Sequence, residues 1–173
     1  MEPRAIRLLI SLAAGIILVL PHSVAAQEAI YLVRHSDPPS TLNLDEILDE
    51  TPLSESGQQR ANMLAERLKD TGITAIYATQ ATRTVETAEP LAQALGLEIR
   101  IHSYEDSDGL VRLLREENGK DRVLVVGHWS TIPEILKDLG YPEEVKIERS
   151  AYDNLFVVIP RGEQAPVVLH LHY

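Results

Sequence analysis

Arg34, His35, Arg83 and His128 are the side chains of this sequence whose types and settings could do chemistry together. His35 closes the apolar run Ala29-Ile30-Tyr31-Leu32-Val33-Arg34, and His128 closes a second run of the same design, Arg122-Val123-Leu124-Val125-Val126-Gly127. Each run reads as a buried strand that delivers an imidazole at its carboxyl end, the side of an open α/β sheet where ligands bind. Arg83 falls early in a helix that follows a third apolar stretch, Ile73 to Ala78. If the three strands are neighbours, two guanidinium groups and two imidazoles converge on one crevice. Such a cluster repels itself unless an anion lies within it, and guanidinium forks match phosphate oxygens without ever losing their charge. A phosphoryl group is therefore the natural occupant, and a helix opening near Ala81 would offer it unpaired N–H groups. Singly, each arginine is more often an ion-pair residue and each histidine more often structural. The argument rests on their coincidence.

The elements that must position these residues follow from periodicity and turn chemistry. Strands are predicted at 28–34, 73–78, 97–101, 122–126, 155–159 and 167–171, the last two joined as a hairpin through Pro160-Arg161-Gly162-Glu163. The first helix has Ser54 as its N-cap, apolar positions Ala61, Leu64, Ala65 and Leu68, and Thr71-Gly72 at its end. Further helices are predicted at 81–95, closed by Gly96, at 110–117, and from Ile132 or Pro133 to Leu139. The acidic stretch 42–50 reads as a short helix or as a flap over the end of the first strand. Alternating strands and helices imply an α/β fold, a three-layer sandwich with a mainly parallel sheet, helices on both faces and an antiparallel C-terminal edge.

Composition narrows the partners. The chain of 173 residues has the apolar content of one globular domain, 45%, and no cysteine, so disulfides and thiolate metal sites are excluded. Residues 1–26 read as a secretory signal peptide: Arg4 and Arg7, the apolar run Leu8 to Leu20, then small residues up to Ala26. The domain proper is then 27–173, and the expected location is periplasmic or secreted, the alternative being an uncleaved N-terminal membrane anchor. Without Glu2, Arg4 and Arg7, 14 basic and 25 acidic residues remain, a net charge of about −11. That charge argues against general binding to nucleic acid or anionic membranes. No stable membrane partner is expected once the signal is cleaved, and the sequence carries no signal for oligomeric state.

Four segments, in order and at fitting intervals, resemble the histidine phosphatase superfamily, which includes the phosphoglycerate mutases. They are Leu32-Val33-Arg34-His35-Ser36, Pro52 to Ala61, Tyr77-Ala78-Thr79 with Arg83-Thr84-Val85-Glu86-Thr87-Ala88, and Val125-Val126-Gly127-His128. The resemblance, to a short and capless branch, covers most of the chain after residue 26. It implies that His35 attacks phosphorus to form a phosphohistidine while Arg34, Arg83 and His128 surround the phosphoryl oxygens. It also implies a small phosphorylated substrate and no cofactor or metal, the arginines stabilising transition-state charge instead. His35 must then be unprotonated at the attacking nitrogen, with its other nitrogen donating to a fixed acceptor such as a backbone carbonyl. Ser36 stands where the family has glycine and is expected to add a hydroxyl contact to substrate. Trp129-Ser130 follows His128 and is expected to form an aromatic wall with a polar contact. The acid that protonates the leaving oxygen is expected in Tyr104-Glu105-Asp106-Ser107-Asp108, with Glu105 first and Asp106 or Asp108 as alternatives.

The activity expected is that of an exported, metal-independent phosphoric monoester hydrolase. Competing readings are a protein phosphohistidine phosphatase, a catalytically silent phosphate-binding module, and a metallohydrolase built on His35, Asp37 and His128, which the neighbouring arginines disfavour. His170 and His172 share a strand face by period-two spacing and could ligate a metal, although exposure at a frayed strand is the plainer reading. Asn154 is an outlying candidate for a pocket contact in a segment otherwise read as scaffold.

Overall fold

Alternation along three apolar strands builds the core. In β1 (Ala29–Arg34), β2 (Ala75–Thr79) and β4 (Arg122–Gly127), Leu32, Tyr77, Val123 and Val125 face one side while Val33, Ile76, Leu124 and Val126 face the other. Both faces of a parallel sheet must be covered, so these strands are apolar except at their ends. The computed structural model describes residues 29–42, 48–162 and 164–173. Its remaining elements are α1 (Glu55–Leu68), α2 (Thr82–Leu95), β3 (Ile99–His102), α3 (Ser107–Glu117), α4 (Thr131–Asp138), β5 (Asn154–Arg161) and β6 (Gln164–His172). The α1/α2 pair covers the face with Val33 and Val126, and α3/α4 the face with Leu32 and Val125.

The six strands form one sheet in the order β3-β2-β4-β1-β5-β6. β3, β2, β4 and β1 are mutually parallel, whereas β5 runs antiparallel to β1 and β6 antiparallel to β5. This is the three-layer α/β sandwich expected from the sequence. β4 lies between β1 and β2, with Arg34 in register with Gly127 and Ala78 with Val126. The chemistry-bearing ends of all three strands therefore meet at one edge of the sheet.

Local rules account for the boundaries that differ from the sequence reading. α3 begins at Ser107 rather than Leu110 because the Asp106 carboxylate accepts from the Gly109 N–H and caps it earlier. α4 begins at Thr131, which puts Pro133 at the third helical position, still within the first turn where no N–H is required. Ser54 does cap α1, accepting from the Gly57 N–H at 3.0 Å, and Gly96 closes α2 in the left-handed conformation. Residues 1–26, read as a signal peptide, lie outside the described residues, as does most of 42–50. Among the described residues no helix is long and apolar enough to cross a membrane.

Candidate active site

A cavity of about 260 Å³ opens at the shared strand edge, lined by Arg34, His35, Arg83 and His128 together with Asp49, Tyr104, Trp129, Ser130, Thr131 and Arg149. The four residues singled out by type and spacing are thus brought together. The His35 and His128 rings lie 5.3 Å apart, edge to face. The His35 backbone N–H donates to the Gly127 carbonyl at 2.9 Å, extending the β1/β4 ladder by one bond, so the two histidines are set by the sheet itself.

Each side chain is held from behind. His35 Nδ1 lies 2.8 Å from the Ser36 carbonyl, which can only accept. Nδ1 therefore carries the proton, and Nε2 is the ring nitrogen with a free lone pair. The Ser36 N–H in turn donates to Thr87 Oγ1 on α2 at 2.9 Å. Burial drives the His35 pKa well below the ordinary histidine value, with Arg34, His128 and Arg83 adding to the effect against the Ser36 bond. Arg34 donates through Nη1 to the Ala151 and Glu148 carbonyls, and its guanidinium stacks 3.9 Å from the Tyr152 ring centroid. Arg83 donates through Nη1 to the Leu48 carbonyl at 2.8 Å. Burial lowers the pKa of both arginines, yet neither guanidinium loses its charge at any physiological pH. Both keep a buried Nε–H with no acceptor among the described residues. Unmet buried donors cost about 1–3 kcal/mol each, a penalty that an anion accepting from them would remove.

His128 is held by a hydroxyl chain. Thr84 Oγ1 lies 2.8 Å from the Thr79 carbonyl and 2.6 Å from that of Ala81, so its proton goes to a carbonyl. Thr79 Oγ1, 3.0 Å from Thr84 Oγ1, then donates to Thr84 and accepts from His128 Nε2 at 2.8 Å. That ordering leaves the His128 Nδ1 lone pair facing Arg83 Nη2 at 3.5 Å. Burial, then Arg83 and Arg34, bring the His128 pKa down to about 4. Two imidazoles whose pKa values are held low thus face one hollow with the guanidinium groups of Arg34 and Arg83, an arrangement that suits an anion.

Trp129 and Ser130 lie on the cavity wall; the Arg149 guanidinium sits 4.5 Å over the Trp129 ring, and the Ser130 side chain makes no capping bond to α4. Ser36 and Glu105 are not brought to the cavity. Ser36 is fully buried and its hydroxyl faces the Tyr173 phenol in the α1/α2 layer, because the carbonyl held against His35 turns its side chain the other way. Glu105 is exposed, its N–H bonded to Ser103 Oγ; Asp106 is occupied as the α3 cap, and Asp108 lies exposed in the first turn of α3. Asp37 is paired with Arg60 at 2.6 Å, which removes the third ligand from the metallohydrolase reading. Asn154 Oδ1 accepts from His170 Nε2 at 2.7 Å and is scaffold, and His172 contacts Asp153 at 3.2 Å. Among the described residues no cluster of three metal-ligating side chains occurs.

The sequence reading missed Asp49, Tyr104, Thr131 and Arg149 as cavity residues, and Tyr152 as the support beneath Arg34. All but Thr131, the first residue of α4, sit outside helix and strand, where periodicity carries no signal. Thr79 was detectable: a hydroxyl ending a buried strand beside the arginine-bearing helix has few other partners.

Residues 30–104 match the sequence model of the histidine phosphatase superfamily (branch 1), and the six-stranded α/β sandwich is like that of histidine phosphatases. The resemblance seen in the sequence is thereby borne out. The chain is 35% identical over 109 residues to the probable phosphoglycerate mutase GpmB of Salmonella arizonae and to that of Salmonella newport, a match that takes in 57% of the chain. It spans about half the length of these curated relatives. Among solved structures, the protein histidine phosphatase SixA complexed with tungstate superposes with a TM-score of 0.66 at 17% identity, covering 83% of this chain and 96% of that one. A phosphoserine phosphatase mutant of Entamoeba histolytica in complex with phosphoserine superposes with a TM-score of 0.63 at 16% identity, covering 82% and 94%. At such identities the likeness is one of fold.

Proposed function

We propose that the chain is an exported phosphatase that hydrolyses small phosphomonoesters through a phosphohistidine on His35, without a metal. One observation carries the reading: His35 Nδ1 is tied to the Ser36 carbonyl, so that Nε2 presents its lone pair to a cavity lined by Arg34, Arg83 and His128. Phosphoryl transfer asks for an in-line nucleophile and for positive charge around the equatorial oxygens, and little else of the protein. The lowered His35 pKa keeps the nucleophile unprotonated at neutral pH, and the arginines supply the charge that a metal supplies elsewhere. Export rests on the pattern of residues 1–26 alone, and detection of the chain in the extracytoplasmic fraction, shortened to begin near Gln27, tests it.

The test of function is a comparison of the protein cleaved at residue 26 with its H35A variant on a panel of phosphorylated metabolites, in the presence and absence of chelator. Turnover is expected to vanish in H35A while phosphate affinity falls less, and chelator is expected to change nothing. Equal turnover in both proteins would remove His35 from catalysis. The half-exposed Tyr104 and Trp129 at the cavity mouth favour, as a second reading, a protein phosphohistidine phosphatase that admits a side chain from a macromolecule. Faster turnover of a phosphohistidine peptide than of any small ester would select it.

A further inference from the structure

Building on the phosphatase reading, we propose that Asp49 is the general acid and base of the reaction, and that the substrates are accordingly esters of poorly leaving alcohols. A phosphate ester of an ordinary alcohol leaves as a strongly basic alkoxide unless a proton arrives as the P–O bond breaks. None of the four residues that built the site is suited to give it. Arg34 and Arg83 do not release protons. His35 is the nucleophile, and His128 donates its only proton to Thr79.

Among the described residues that line the cavity, Asp49 is the one carboxylate. Its side chain is exposed, but the turn that bears it is clamped. The Leu48 carbonyl accepts from Arg83 Nη1 at 2.8 Å and the Asp49 carbonyl from the Thr82 N–H at 2.8 Å. The Leu48 N–H donates to Thr51 Oγ1 at 3.0 Å, and the Thr51 N–H to the Leu48 carbonyl at 3.1 Å. Two of these bonds run to the start of α2, so the acid is positioned by the same arginine that faces the phosphoryl group. The Thr82 amide, at the opening of the helix expected near Ala81 to offer N–H groups to an anion, is spent on this clamp. The acids after β3 lack such a placement: Glu105 and Asp108 are exposed beyond the cavity lining, and Asp106 caps α3.

In the first half-reaction the His35 Nε2 lone pair forms the N–P bond, the P–O bond to the alcohol breaks, and the Asp49 carboxyl proton passes to the departing oxygen. In the second, the Asp49 carboxylate takes a proton from water as the water oxygen bonds to phosphorus. The N–P electron pair returns to Nε2, phosphate leaves, and Asp49 is again protonated.

Asp49→Asn tests this against substrates that differ only in leaving group. With an alkyl phosphate such as glycerol phosphate, kcat is expected to fall by about 100-fold or more, the usual weight of general acid catalysis. With p-nitrophenyl phosphate, whose leaving group needs no proton, the burst of p-nitrophenol is expected to persist at near its normal rate. Phosphohistidine on His35 then accumulates, because the base for the second step is gone. An equal loss in the rate of phosphohistidine formation from both substrates, no loss from either, or a leaving-group-selective loss in Glu105→Gln instead would overturn the assignment. Failure of the wild-type protein to form any phosphohistidine would instead strike the phosphatase reading, so the two failures are distinct.

Discussion

At the scale of single residues, Thr79 and Thr84 do for His128 what the Ser36 carbonyl does for His35: each fixes which ring nitrogen carries the proton. A backbone carbonyl cannot be mutated, whereas the hydroxyl chain can. Thr79→Val keeps the side-chain shape and removes the acceptor for His128 Nε2–H, leaving a buried donor unmet. We expect kcat to fall about 10–100-fold, the usual effect of losing a partner that orients a functional histidine, with a smaller change in KM. Thr79→Ser, which restores the hydroxyl, is expected to recover most of the rate. Equal losses in Val and Ser variants would mean that packing rather than the hydrogen bond matters.

At the scale of elements, the first turn of α1 sets the loop beyond His35. Ser54 Oγ accepts from Gly57 N–H and donates to the Asp37 carbonyl, and the Ser54 N–H donates to the same carbonyl at 2.9 Å. A Cβ at Gly57 would collide with that Asp37 carbonyl. Gly57→Ala is therefore expected to destabilise the fold by about 1–3 kcal/mol, and Ser54→Ala by about 1 kcal/mol, in urea unfolding. An unchanged midpoint for Gly57→Ala would show that the loop simply moves aside. These elements also show how much was legible beforehand. β1, β2 and β4 announce themselves because a doubly covered parallel strand must be apolar along its whole length, and a charged or imidazole residue then marks its end. Arg34, His35 and His128 were found by that rule, and Arg83 by its place in the following helix. Asp49 and Tyr104 lie in turns whose shape depends on which strands become neighbours, and neighbourhood is not written in local periodicity. Ser36 was misread for a related reason: a residue past a strand end can point either way, and only the bond from His35 Nδ1 decides it.

At the scale of the whole molecule, burying two imidazoles beside two cations links stability to pH. The folded protein holds His35 and His128 below the ordinary histidine value of 6.5, so in acid the unfolded chain binds more protons than the folded one. Stability is thus fully present above about pH 6.5 and is lost as pH falls toward the His128 value of about 4, by on the order of 3 kcal/mol from His128 alone. Phosphate bound among the four groups favours the protonated imidazoles, so it is expected to recover part of that loss in thermal unfolding at pH 5. His128→Asn is expected to flatten the acid slope; an unaltered slope would place the linkage elsewhere. The central claim, that four side chains from three strand ends form one phosphoryl-transfer site, has a more direct test. The wild-type protein is mixed rapidly with substrate, quenched in alkali to preserve phosphohistidine, and digested for mass spectrometry. The account expects phosphate on the peptide containing His35 and nowhere else, with no label in H35A. Turnover with no phosphate on His35, or with label on His128, would contradict it.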